Sequence, residues 1–169
     1  MVFFGKLAVA ATVLAVGILA VNGIRVNAAV AGSVGARSNM TVFAYYQMGV
    51  VPDSIVYDVW EVGNETSSFS ALGSFFRFAE EMRDRDFREV RMANRGKTVF
   101  VLGGDDFKMI GESLSVQNPA YLLRTFPEKL ELPDGRPAFG TWTGGLIGVA
   151  NSQLEDLNDL SKQWLIIGR

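Results

Sequence analysis

The chain has 169 residues and contains neither cysteine nor histidine. Lack of cysteine rules out disulfides, a thiolate nucleophile and any acceptor for a thioether lipid or palmitate, so packing and hydrogen bonding must hold the fold. Lack of histidine rules out Ser-His-Asp and Cys-His catalysis, and with cysteine also missing the usual zinc, haem and copper sites go too. Any chemistry falls to carboxylates, hydroxyls, Lys, Arg, Tyr or a metal held by oxygen. Acidic charge is missing from the start of the chain: residues 1–52 hold Lys6, Arg25 and Arg37 and no acid. Residues 53–169 hold 13 bases against 18 acids, net −5. A body of that sign repels phosphates, so no nucleic-acid partner is expected.

The N-terminus does carry a long uncharged run, Leu7 to Val21, between Lys6 and Arg25. One reading is a secretory signal peptide, with small-residue sites at Val26-Asn27-Ala28 and Ala29-Val30-Ala31. Another is a single transmembrane anchor, with membrane contact through residues 7–24. A buried core helix is the third. Either of the first two gives the body an extracytoplasmic address, periplasmic or secreted, although Arg25 and Arg37 blunt the charge asymmetry that orients such segments. The expected organisation is a leader over 1–28, a flexible tether over 29–39 rich in Ala, Gly, Ser and Val, and one domain over 40–169.

Within that domain, Thr41 to Met48 has the Thr, Val, Phe and Tyr content of a buried strand. Asp53 to Glu65 is ambiguous: its Val, Ile, Tyr and Trp favour a strand, whereas Asp58, Glu61 and Glu65 recur at helical spacing, and a short helix capped by Asp53 is preferred. Leu72 to Asp86 has a broad apolar helical face, with Ser67, Ser68 or Ser70 as cap. Phe87–Ala93 and Lys97–Leu102 flank Asn94-Arg95-Gly96 as an antiparallel hairpin. Asp105 can cap a short helix after Gly103-Gly104, and Asn118-Pro119 starts another that ends before Pro127. Lys129–Leu132 reads as a short edge strand followed by the Pro133-Asp134-Gly135 turn. Ser152 and Glu155 form a capping box for a final helix with Leu154, Leu157, Leu160, Trp164 and Leu165 facing inward. The expected fold class is α+β, a small antiparallel sheet covered by amphipathic helices.

The strongest catalytic candidates are Asp105 and Asp106, carboxylates between a strand end and a helix start. With Asp53, Asp58 and Glu61 they are also the candidate oxygen ligands for a divalent cation. Each has a plainer role as a cap or solvated acid. Gly103-Gly104 and Gly144-Gly145 fit no phosphate-binding motif, and Lys97 is explained by its place in the hairpin. Arg77, Arg83, Arg85, Arg88, Arg91 and Arg95 are threaded with acids, which suggests either a solvated face or a polar docking surface.

The favoured function is a non-enzymatic extracytoplasmic interaction or accessory protein, with a protein partner in a membrane-associated or periplasmic assembly and no cofactor. One alternative is a carboxylate-dependent hydrolase or divalent-cation-binding domain. The other is a carrier of a small apolar ligand, which needs an enclosed pocket among Phe43, Tyr45, Trp60 and Trp142.

Overall fold

The computed structural model describes residues 23, 26–34, 39–49, 51–114, 116, 119–143 and 146–165. Residues 26–33 are helical (α1). They are followed by strands β1 (Met40–Gln47) and β2 (Val51–Val62), helix α2 (Ser68–Glu81), and strands β3 (Glu89–Asn94) and β4 (Lys97–Gly103). Helices α3 (Gly104–Ser113) and α4 (Pro119–Thr125), a 3-10 turn at Pro127–Lys129, strand β5 (Leu130–Glu131) and helix α5 (Leu146–Leu165) complete the fold.

The strands form one sheet in the order β1-β2-β3-β4-β5. It is mixed, which corrects the expectation of an antiparallel sheet: β2 and β3 run parallel, with Ile55 beside Val90 and Tyr57 beside Met92, and the other neighbours are antiparallel. Parallel neighbours need a crossover long enough to return the chain to its starting end, and residues 63–88 supply it through α2. Asp53–Glu65 is therefore not a helix: its first ten residues belong to β2. Ile55, Tyr57 and Val59 point to one face and Ser54, Val56, Asp58 and Trp60 to the other, which is strand alternation.

The hairpin is where the sequence places it. Arg95 and Gly96 take φ of 49° and 80°, the positive values a two-residue β-turn needs. Ser67 caps α2, its hydroxyl accepting from Ser70 N–H at 3.1 Å. The backbone of Gly103 caps α3 in place of the expected Asp105. Helix α5 begins at Leu146, so Ser152 and Glu155 are interior positions and not a capping box. The extra turns leave Leu154 52% exposed while Leu157, Leu160 and Trp164 are buried as expected.

One face of the sheet carries the core. Tyr57 meets Phe75, Phe78 and Trp164 with ring centroids 5.2, 5.0 and 6.0 Å apart. Val90, Met92, Phe100 and Leu102 extend this cluster towards Phe107 and Ile110 of α3. Gly111 lets α3 approach α2 closely, since any side chain there would strike the Ala79 carbonyl. Polar bonds fix α5: Trp164 Nε1 donates to Ala93 O at 3.0 Å, and Asn94 Nδ2 donates to Trp164 O at 2.7 Å.

The signal peptide or transmembrane anchor, and the periplasmic or secreted location drawn from it, are not upheld: among the described residues no helix is long and apolar enough to cross a membrane. The run over 7–22 itself lies outside the described residues. Beyond it, Val26 and Val30 of α1 are buried in the core, on residues read from sequence as cleavage sites and the start of a tether.

Because Trp164 is fully buried and its indole is bonded to Ala93 O, Trp164→Ala should lower the unfolding free energy by about 3–5 kcal/mol in urea titrations. A loss below about 1 kcal/mol would mean that α5 is not part of the cooperative core.

Candidate functional site

The face of the sheet opposite the helices is left uncovered among the described residues, and Phe43, Tyr45, Asp58 and Trp60 stand on it. Phe43 is 46% exposed and Trp60 49%, and their rings meet edge to face with centroids 6.0 Å apart. Beneath them lies Asp58, only 1% exposed. Its Oδ2 accepts from Tyr45 Oη at 3.1 Å and from Trp60 Nε1 at 2.9 Å. The Gly96 N–H is shared between Oδ1 and Oδ2 at 3.0 and 2.9 Å. These donors satisfy a carboxylate that burial alone would penalise.

Arg95 borders the same surface. Its Nε donates to Trp60 O at 3.0 Å, and among the described residues no carboxylate pairs with its guanidinium. Thr41, Phe43, Trp60, Glu61 and Arg95 line an open hollow of about 810 Å3. Further along the face, Glu89 accepts from Ser54 at 3.0 Å and pairs with Arg91 at 2.8 Å. Burial pushes the Glu89 carboxyl up, but the bonds from Arg91 and Ser54 and the Arg91 and Arg88 charges outweigh it and hold it below its usual range.

The sequence-predicted acids are not gathered into one place. Asp105 and Asp106 occupy the first turn of α3, with Asp106 paired to Lys129 Nζ at 2.5 Å. Asp53 pairs with Arg88 at 3.4 Å. Asp58 is bonded at the turn end of β4, whereas Asp105 follows the opposite end, about 20 Å away along that strand. Glu61 stands in the hollow. Among the described residues no group of three or more potential metal-ligating acids occurs.

Nor do the four aromatics proposed for a carrier enclose one pocket. Trp142 lies apart, donating to Asp156 of α5 at 2.6 Å, and the hollow beside Phe43 and Trp60 is open. A smaller hollow of about 290 Å3, lined by residues including Phe69, Leu72, Leu154 and Leu157, separates α2 from α5. The arginines are dispersed: Arg77 donates to Ser33 O, Arg85 to Tyr46 Oη, and Arg88 and Arg91 pair with acids. Arg95 alone joins the aromatic surface, and reading β2 as a strand, with Trp60 and Asp58 on the side away from the core, is the signal that would have found it.

No protein-family model, curated protein or solved structure matches the chain. The fold and the surface therefore stand on their own geometry: an α+β domain with a mixed sheet and helices on one face.

Burial pushes the Tyr45 phenol up to about 12, with the Asp58 charge and hydrogen bond adding to the effect. The folded chain favours the neutral phenol, so this group's contribution to stability is whole below pH 10 and is lost as pH rises through 10 towards 12. Asp58→Asn removes the charge and leaves the burial. The Tyr45 transition, isolated by ultraviolet difference titration against Tyr45→Phe, should then move down towards 10. A transition that stays near 12 would remove Asp58 as a cause.

Proposed function

We propose that this chain is a non-enzymatic interaction protein that docks a protein partner on the helix-free face of its sheet. The observation that carries this reading is the Phe43–Trp60 pair, two large aromatics each nearly half exposed, with Trp60 bonded to the buried Asp58 and Phe43 packed edge to face against it. Aromatic side chains fixed in advance give up little conformational entropy on binding, and Trp, Tyr and Arg dominate the energetics of protein interfaces. Arg95 supplies a cation at the rim, so the fitting partner presents an apolar side chain to the aromatic pair and a carboxylate within reach of the guanidinium. The dispersal of Asp53, Asp58, Asp105 and Asp106 gives the hydrolase and cation-binding alternatives no comparable support.

The test is photo-crosslinking in the producing cells, with a photoreactive phenylalanine analogue at position 43 and a control at Phe69, which is 56% exposed beside the smaller hollow. A discrete protein adduct is expected at 43 and not at 69, and Trp60→Ala should abolish it in a chain whose circular dichroism stays native. Equal adducts at both positions, an adduct indifferent to Trp60→Ala, or none at 43 would reject the assignment.

A further inference from the structure

On the proposal that Phe43 and Trp60 dock a protein partner, we infer that Glu61 is a second recognition group of that surface, turned onto it by a β-bulge, and that the fitting segment of the partner carries a base as well as an acid beside its apolar side chain. Strict alternation from Trp60 would send Glu61 to the helix side of the sheet and Val62 to the free side. The register of β1 against β2 breaks at this point: Val42 pairs with Val59 and Thr41 with Glu61, so Trp60 is the extra residue. The phase of β2 changes there. Val62 packs against the core, as does its partner Met40, and Glu61 comes out opposite Thr41 to line the hollow with Phe43 and Trp60. Two successive residues of one strand thus serve one hollow, and the carboxylate that alternation would have turned inward is kept in water.

The charges of the hollow define what fills it. Glu61 and Arg95 are both exposed and both line it. They carry opposite charge, yet no ion pair joins them, and among the described residues neither pairs with any other charged side chain. Arg95 donates its Nε–H to Trp60 O at 3.0 Å, so its terminal nitrogens remain for a carboxylate. The Glu61 carboxylate accepts no hydrogen bond among the described residues. A partner that brought only an acid would set it near Glu61, and one that brought only a base would set it near Arg95, each a like-charge contact. A segment whose apolar side chain is flanked by an acid and a base satisfies both charges and the aromatic pair together.

Photo-crosslinking from position 43 in the producing cells tests this in chains altered at Glu61. Glu61→Gln keeps the size of the side chain and removes its charge, and should lower the adduct yield about tenfold, as loss of one hydrogen bond to a charged group does. Glu61→Lys should abolish the adduct, with circular dichroism native in both variants. Mass spectrometry of the cross-linked peptide should find a Lys or Arg and an Asp or Glu close in sequence to the attached residue. Replacing that Lys or Arg of the partner by Glu should restore the adduct to the Glu61→Lys chain. An adduct at 43 whose yield is unchanged by Glu61→Gln, or an attached peptide without a base, overturns the role of Glu61 and leaves docking at Phe43 and Trp60 standing. No adduct from the unsubstituted chain overturns both.

Discussion

A carboxylate taken out of water must have its oxygens occupied by donors, and those around Asp58 come from separate parts of the chain: Tyr45 on β1, Trp60 on β2 and the Gly96 amide in the β3–β4 turn. Their convergence constrains the surface site. The register of β1 against β2, which pairs Phe43 with Asp58 and Tyr45 with Val56, brings the Tyr45 hydroxyl within reach. The positive φ of Arg95 and Gly96 belongs to the turn that presents the Gly96 N–H. Trp60 is fixed from below through its indole nitrogen while its ring stays exposed and meets Phe43 edge to face.

Strand β2 lies between β1 and β3 and is buried from Ser54 to Val59, Asp58 included. Its neighbour Tyr57 turns to the opposite face and enters the aromatic core with Phe75, Phe78 and Trp164. One strand thus serves both the packing that holds the helices and the surface that lacks them. The parallel pairing of β2 with β3 follows from the crossover through α2, and the bond from the Trp164 indole to Ala93 O, with that from Asn94 to Trp164 O, then ties α5 to β3. A change that disturbs β2 therefore acts on core and site together, whereas substitutions at Phe43 or Arg95 act at the surface.

Local signals made much of this legible in the sequence. The Asn94-Arg95-Gly96 turn, the serine cap of α2, the Pro119 start of α4 and the burial of Leu157, Leu160 and Trp164 on α5 all lie where the sequence pattern puts them, although Leu154, expected on the same face, is exposed. The parallel pairing was not legible because it depends on a crossover, which leaves no signature in either strand. The misreading of β2 has a specific cause: Asp58, Glu61 and Glu65 recur at helical spacing, but Asp58 is buried beneath the aromatics while Glu61 and Glu65 are exposed. A buried acid in a strand looks like one side of a helix until its donors are seen. The docking surface was hidden for the same reason, since Phe43 and Trp60 become neighbours only once β1 and β2 pair. Asn27 was read as part of a small-residue cleavage pattern because its partner, Ala44, is 17 residues away.

The surface around Trp60 and the edge at Ala44 share β1 without competing for its atoms. The aromatic surface uses the side chains of Thr41 and Phe43, and the edge uses the main chain of Ala44. Alternation along β1 sets Thr41, Phe43 and Tyr45 on the helix-free face, whereas the Ala44 main chain lies in the plane of the sheet and bonds to Asn27. Asn27 thus completes the hydrogen bonding of the β1 edge while the aromatic surface stays free.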